Sequence, residues 1–154
     1  MHGGMTNMKK TTLLCTLLLC LSVWLTGCLG VSSKPFEALA PQNDEALVYV
    51  YRPESIWFRG SPYIVYADEQ KFDNLINNGY FPIRLKPGTV FFRLTRKPTL
   101  FSEERIDALE MKVEAGQVYY LKVEPRPYGM FKFIIMDESQ GRQEAAKTKY
   151  FQTN

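Results

Sequence analysis

The sequence predicts a mainly β fold, an antiparallel β-sandwich or small barrel of about eight short strands. Apolar and polar residues alternate along most of the chain after residue 45, which is the pattern of strands buried on one face. Glycine and proline separate these runs at short intervals, as turns between strands require. The composition, 154 residues of which 45% are hydrophobic and 23% charged, is that of one ordinary folded domain.

Each predicted strand is a short run bounded by turn residues. In chain order the strands are expected at residues 46–52, 63–67, 72–76, 80–85, 89–96, 109–113, 117–124 and 130–136. Three of them have an apolar face: Val90, Phe92 and Leu94; Tyr119, Leu121 and Val123, which are expected to point inward; and Phe131, Phe133 and Ile135. Residues 140–150 lack this alternation and predict a short C-terminal helix or a frayed end.

Two turns are predicted from residues that tolerate unusual backbone angles. Asn77, Asn78 and Gly79 predict a tight hairpin between the third and fourth strands, because Asn and Gly adopt positive φ at low cost. Pro87 and Gly88 predict a type II turn before the fifth strand.

Residues 1–27 predict an N-terminal signal helix. A polar start ends in Lys9 and Lys10, and an apolar run follows at residues 13–25. Thirteen helical residues at about 1.5 Å each cover about 20 Å, which is short for a hydrocarbon core of about 30 Å. A secretory signal is therefore favoured over a transmembrane anchor.

The end of this signal, Leu25-Thr26-Gly27-Cys28, resembles the lipobox of bacterial lipoproteins. The resemblance implies cleavage before Cys28, a diacylglyceryl group on its thiol and an acyl chain such as palmitate on the new amino group. Ordinary signal cleavage and an uncleaved anchor are the alternatives. Because Leu29 rather than Asp follows the cysteine, the resemblance implies the outer membrane, facing the periplasm, in a Gram-negative host.

The remaining chain is expected to form a lipidated N-terminus and flexible tether at residues 28–45, one β-domain at 46–151 and a tail at 152–154. Without Lys9 and Lys10, basic residues exceed acidic ones by only one. A nucleic-acid partner would require a strong basic excess, so none is expected.

The distribution of histidine and cysteine excludes several kinds of chemistry. The single histidine is His2, and the cysteines are Cys15, Cys20 and Cys28. Beyond the lipobox the chain has no residues for a Ser-His-Asp or Cys-His site, nor for a Cys/His zinc site. We therefore expect no catalytic residues, no cofactor and no metal.

Carboxylates remain available, since Asp68, Glu69 and Asp73 surround one predicted turn. Solvated turn residues explain them better than a catalytic pair or a calcium loop. Arg93, Arg96 and Lys97 form a small basic cluster, which is interpreted as a solvated strand edge rather than an anion site.

The connection at residues 53–62 is long for a link between two strands. It carries Ile56, Trp57, Phe58 and Arg59, and Trp and Arg are enriched where proteins bind partners. The alternative is that Trp57 or Phe58 folds back and caps one end of the sandwich. These four residues are the candidate partner-binding loop.

Several segments resemble the uncharacterised bacterial lipoprotein family DUF2846, a domain of unknown function, and are similar in hairpin pattern to PEGA-type surface domains. The resemblance implies a sandwich-like fold in the cell envelope and offers no catalytic residues to transfer. Where such domains usually carry Asp-Gly, this chain has Asp68-Glu69-Gln70, so a wider loop is expected there. The segments that carry the resemblance are residues 46–53, 63–68, Leu75 with 78–80, Leu85 with 87–88, 113–116 and 119–122.

The expected function is that of a lipid-anchored, non-enzymatic envelope lipoprotein that presents its β-domain to another envelope protein or to the cell wall, peptidoglycan. A small envelope hydrolase using carboxylates and a structural subunit of an envelope assembly are the alternatives.

Overall fold

The computed structural model describes residues 33–60, 62–96, 105–127 and 130–151. These residues form a sandwich-like arrangement of two β-sheets and one short helix, with no closed barrel. In chain order the elements are β1 (Ser33–Pro35), β2 (Ala46–Arg52), β3 (Tyr63–Ala67), β4 (Gln70–Leu75), β5 (Gly79–Leu85), β6 (Gly88–Arg96), β7 (Arg105–Val113), β8 (Val118–Pro125), β9 (Phe131–Met136), α1 (Glu138–Ala145) and β10 (Lys149–Phe151).

One sheet has six strands in the order β1-β10-β5-β2-β8-β9, and the other has four in the order β4-β3-β6-β7. Most neighbouring strands are antiparallel, as expected. The predicted sandwich is confirmed, and within it two pairs of strands are parallel, β2 with β8 and β5 with β10. Parallel pairing needs a long connection between the two strands. The chain passes through strands of the other sheet between β2 and β8, and through strands of the other sheet and α1 between β5 and β10.

The core lies between the two sheets and is formed by alternate residues of facing strands. Val90, Phe92 and Leu94 of β6 are buried there, as the period of two predicts. Phe131 and Phe133 of β9 are buried as well, and Tyr119, Leu121 and Val123 of β8 belong to the same cluster. Ile135, on the same predicted apolar face as Phe131 and Phe133, is 51% exposed.

Strand β2 is buried on both faces. Leu47, Tyr49 and Tyr51 point away from the core between the sheets into a second apolar cluster, which includes Tyr80 and Tyr120. This second cluster is covered by α1 and by residues 33–40, which we call the strap. A strand covered on both sides explains why all seven of its residues are buried.

The strap differs from the flexible tether expected at residues 28–45. Its Phe36 ring lies 5.1 Å from Tyr49 and 5.0 Å from Tyr80, measured between ring centroids. The Tyr80 hydroxyl accepts a hydrogen bond from the backbone amide of Glu37 at 2.9 Å, and the Tyr49 hydroxyl accepts one from Leu39 at 2.7 Å. Tyr49 and Tyr80 lie on β2 and β5, outside the strap, so the composition of residues 33–40 does not indicate these contacts.

Helix α1 begins at Glu138, two residues before the predicted segment. The Asp137 side chain caps its N-terminus by accepting hydrogen bonds from the backbone amides of Ser139 at 3.0 Å and Gln140 at 3.5 Å. Gly141 faces the sheet, where an added Cβ would lie 2.3 Å from the Tyr120 Cβ. The helix therefore packs against β8 more closely than any larger residue would allow.

The turn at Asn77, Asn78 and Gly79 does not close a hairpin, because it joins β4 of one sheet to β5 of the other. The predicted hairpin is wrong, although Asn78 has the expected positive φ of 57°. The wider loop expected at Asp68-Glu69-Gln70 is also absent. Asp68 adopts φ 52° and allows a two-residue turn between β3 and β4.

Candidate binding site

The candidate site is the loop between β2, which ends at Arg52, and β3. We call residues 53–60 of this connection the aromatic loop. The loop is fixed by hydrogen bonds at its base. The Asn77 side chain accepts one from the Ser55 backbone amide at 3.0 Å, and the Ser55 hydroxyl accepts one from the Trp57 amide at 3.1 Å. The first bond attaches the loop to the β4–β5 turn, and the second fixes the backbone of the loop between Ser55 and Trp57.

A buried arginine, which the sequence interpretation missed, holds the middle of the loop. Arg52 is fully buried, and its guanidinium donates a hydrogen bond to the Phe58 carbonyl at 2.7 Å. The same guanidinium lies 5.1 Å from the Tyr63 ring centroid and 4.8 Å from that of Phe131. Burial lowers the pKa of Arg52, and the nearby Tyr63 acts in the opposite direction. The sequence signal was an arginine directly after an apolar strand and before Pro53.

The four predicted loop residues have different environments. Ile56 and Trp57 are 72% and 67% exposed, so Trp57 does not cap the sandwich. Phe58 is 39% exposed and packs edge-to-face on Phe131, with 5.8 Å between ring centroids, so it partly takes the capping role. Arg59 is exposed and forms an ion pair with Glu54 at 3.3 Å.

Beside the loop lies an apolar groove of about 440 Å³. It separates the aromatic loop from the turn after β8, where Arg126 is ion-paired with Glu124 at 2.9 Å. Met130, in the same turn, is 55% exposed. The residues that line the groove are Trp57, Phe58, Pro125, Arg126 and Pro127.

One comparison with known proteins bears directly on identity. The family model described as a protein of unknown function (DUF2846) matches residues 42–133. The chain belongs to the DUF2846 family. None of the curated proteins matches the chain. The DUF2846 match covers the aromatic loop and most of both sheets, whereas the strap, α1 and β10 lie outside it.

On the other side of the loop, this DUF2846 protein has a polar pocket of about 490 Å³. At its centre Lys122 is ion-paired with Glu144 at 2.9 Å and lies 3.7 Å from Glu124. The Tyr51 hydroxyl donates a hydrogen bond to Glu144 at 3.1 Å, and Gln140 donates another at 3.2 Å. The lining residues are Pro53, Glu54, Asn78, Lys122, Glu144, Lys147 and Thr148.

These contacts set the charge states in the polar pocket. Burial on its own would raise the pKa of Glu144, but the hydrogen bond and charge of Lys122, with Tyr51 and Gln140, lower it overall. Burial, with the Glu144 charge and hydrogen bond, raises the pKa of Tyr51 well above its ordinary value. Glu144 is therefore held as a carboxylate and Tyr51 as a neutral donor.

Of the acidic and basic groups singled out in the sequence, Asp68 and Arg93 make contacts within the described residues. The Asp68 carboxylate accepts a hydrogen bond from the Phe91 amide at 2.9 Å, and Glu69 is exposed beside it. The Arg93 guanidinium lies 4.9 Å from the Tyr66 ring centroid. Asp73 and Arg96 lie on β4 and β6, and Lys97 is outside the described residues.

Within the part of the chain that the structure describes, no group of His, Cys, Asp and Glu is arranged to hold a metal ion. The same part has no helix with the length and apolar character that a membrane span requires. The lipobox, residues 25–28, lies outside the described residues, so its lipidation stays a prediction.

Proposed function

We propose that this protein is a non-enzymatic lipoprotein of the cell envelope, anchored by lipid on Cys28 and binding a partner protein through its aromatic loop. The observation that carries the binding proposal is the outward position of Ile56 and Trp57 on a loop whose base is fixed. Exposed large apolar side chains in one patch are typical of interaction sites, and a fixed loop loses little conformational entropy on binding.

The lining of the apolar groove favours a protein segment over a glycan. Trp57, Phe58, Pro125 and Pro127 offer apolar surface, and the one charged group, Arg126, already has Glu124 as its partner. A sugar ring needs hydrogen-bonding groups around the aromatic face on which it stacks, and this lining supplies few. An apolar side chain of a partner protein is the better fit.

The polar pocket supports a non-enzymatic role. A glycosidase of the carboxylate type needs one carboxyl with a raised pKa to act as an acid. Glu144 and Glu124 both lie beside the Lys122 ammonium, and the pKa of Glu144 is lowered rather than raised. The Lys122–Glu144 ion pair therefore holds α1 on β8, and Glu144, whose pKa is lowered, is not suited to act as the acid.

The anchor rests on the lipobox, and substitution of its cysteine tests it. We expect Cys28→Ala to abolish incorporation of labelled palmitate and to prevent cleavage of the signal, so that the mature form is not produced. Cys20→Ala, which changes a cysteine within the signal, is the matched control and should behave as wild type. Palmitate labelling of Cys28→Ala at the wild-type level would rule out the anchor.

The binding loop is tested by in-cell crosslinking. Trp57→Ala should reduce crosslinked protein partners at least about tenfold, as loss of a central aromatic anchor typically does. Ile135→Ala, which removes an exposed apolar side chain from β9, should leave crosslinking unchanged. If Trp57→Ala instead abolishes pull-down on peptidoglycan and leaves protein crosslinks intact, the partner is the cell wall and the protein-binding proposal fails.

A further inference from the structure

Two tyrosine hydroxyls fasten the strap to the six-stranded sheet. The Tyr49 hydroxyl accepts a hydrogen bond from the Leu39 amide at 2.7 Å and donates one to the Glu37 carbonyl at 3.2 Å. The Tyr80 hydroxyl accepts one from the Glu37 amide at 2.9 Å and donates one to the Pro35 carbonyl at 3.4 Å. Each hydroxyl is both donor and acceptor, so the two side chains satisfy four backbone groups of the strap.

The other contacts of the strap are few. Of its eight residues only Phe36 and Leu39 are partly buried, and both pack on the second apolar cluster rather than on the core between the sheets. Its ladder with β10 is three residues long, and the Arg84 guanidinium donates one hydrogen bond to the Ala40 carbonyl at 3.4 Å. Because segments with few buried contacts open at a lower free energy than the core, the strap can leave the sheet while the sandwich stays folded.

The sheet beneath the strap has its own contacts. Tyr49 stacks on Tyr120 with 5.3 Å between ring centroids, and Tyr80 lies 5.9 Å from Tyr150. Strand β2 pairs with β5 on one side and β8 on the other, and neither pairing uses the strap. Release would expose two tyrosine hydroxyls that can bond to water. Docking adds the contacts of the Phe36 ring with Tyr49 and Tyr80, which favour the docked form.

The position of the strap changes the length of free chain before the fold. Five residues lead from Cys28 to Ser33, where the docked strap begins, and they reach at most about 18 Å when fully extended. From Cys28 to Ala46, where β2 begins, the limit is about 60 Å. Docking of the strap therefore shortens the maximal reach about threefold.

We propose that the strap is a two-position device that sets how far the aromatic loop reaches from the membrane. The docked strap holds the domain close to the lipid on Cys28, and the released strap lets the folded domain move farther out. This inference rests on the proposed function, in which Cys28 carries the anchor and the loop binds a partner. A partner beyond the docked reach binds only the released form, so its binding shifts the population toward release.

Hydrogen exchange tests whether the strap opens on its own. The sample is the mature protein in phosphatidylcholine vesicles, and mass spectrometry follows peptides from the strap, β2 and β8. We expect strap amides to exchange at least about 100-fold faster than those of β2, because the strap opens without global unfolding. Strap amides that exchange as slowly as those of β2 would overturn the proposal, since the strap would then leave only when the whole domain unfolds.

Removal of the two hydroxyls shows whether they hold the strap. The double variant Tyr49→Phe with Tyr80→Phe keeps both rings, and we expect it to speed strap exchange about tenfold while β8 exchanges as in wild type. Tyr120→Phe is the matched control. Tyr120 lies in the same cluster and, among the residues that the structure describes, forms no hydrogen bond with the strap. Equal strap exchange in the double variant and in Tyr120→Phe would contradict the role of the hydroxyls.

Energy transfer from Trp57 to a dansyl-labelled lipid measures the reach. After cleavage of the signal Trp57 is the single tryptophan of the chain, and it lies on the aromatic loop. Pro35→Cys with Lys149→Cys replaces two cross-strand partners, so oxidation fastens the strap to β10. We expect the highest transfer efficiency in this oxidised variant, a lower one after its reduction and the lowest in the double tyrosine variant. Equal efficiencies in the oxidised variant and the double tyrosine variant would overturn the proposal.

Failure of the proposed function gives a different result. The mass of the purified protein shows whether it is acylated, and an unacylated protein would refute the anchor and, with it, the effect on reach. Hydrogen exchange of the strap needs neither the anchor nor a partner. Energy transfer needs no partner, so loss of the binding proposal in the crosslinking experiment would leave both of these results unchanged.

Discussion

Among single residues, Arg52 connects the end of β2 to the middle of the candidate site. Its guanidinium donates a hydrogen bond to the Phe58 carbonyl at 2.7 Å and lies 5.1 Å and 4.8 Å from the ring centroids of Tyr63 and Phe131. We expect Arg52→Met to lower the free energy of unfolding by about 2–4 kcal/mol, because the Phe58 carbonyl loses its donor and the buried guanidinium loses its contacts with two aromatic rings. Urea denaturation measures the difference. Arg59→Met, at an exposed ion pair, should cost less than about 1 kcal/mol. Equal costs would contradict the role given to Arg52.

The two aromatic residues of the loop, Phe58 and Trp57, are expected to differ in how much they contribute to the free energy of unfolding. Phe58→Ala should cost about 1–2 kcal/mol because it loses the edge-to-face contact with Phe131 and partial burial. Trp57→Ala should change the free energy of unfolding by less than about 0.5 kcal/mol, since the ring makes few contacts that folding requires. The same denaturation measurement decides. A large loss for Trp57→Ala would show that the ring stabilises the fold and would weaken the binding proposal.

At the scale of elements, the packing of α1 on β8 depends on Gly141. Replacing a helical glycine with alanine normally stabilises by about 1 kcal/mol. Here the added Cβ would lie 2.3 Å from the Tyr120 Cβ, so the helix must move away from the sheet. We expect Gly141→Ala to destabilise by about 1–3 kcal/mol, measured by thermal unfolding. Gln143→Ala, on the exposed side of α1, is the control and should be neutral or slightly stabilising. A stabilised Gly141→Ala variant would refute the close approach.

The elements also show which parts of the fold the sequence could predict. Strands β2 and β3 begin and end where their apolar runs do, because those runs are bounded by turn residues and buried strongly. Strands β1 and β10 were missed, since three residues are too few to establish a period of two. The β4–β5 turn was misread as a hairpin because turn residues determine local backbone angles but not the sheet that the next strand joins.

For the whole molecule, the site was predictable only in its exposed half. Ile56 and Trp57 stood out because large apolar residues are unusual in a long loop. Arg52 and the strap did not, because their partners Phe131 and Tyr80 lie about 80 and 44 residues away in the chain, and one sequence does not show such pairing. Long-range contacts therefore hold the site in place, whereas local sequence determines what it exposes.

A different set of contacts, those of Glu144, makes the stability of the whole domain depend on pH. Lys122, Tyr51 and Gln140 lower the pKa of Glu144 in the folded state relative to the unfolded chain. A carboxyl with a lowered folded pKa stabilises the fold above its unfolded pKa, and this contribution is lost as the pH falls through the folded value. We therefore expect the free energy of unfolding to decrease as the pH falls below about 5, an effect that urea denaturation from pH 7 to pH 3 measures.

Glu144→Gln should lower stability at pH 7 by about 1 kcal/mol and flatten the profile, because the α1–β8 contact then no longer depends on a charge. Glu110→Gln, an exposed change on β7, should leave the slope as in wild type. Parallel profiles for wild type and Glu144→Gln would place the acid sensitivity elsewhere, and Asp137, whose pKa is lowered by its cap bonds to Ser139 and Gln140, would be the next residue to test.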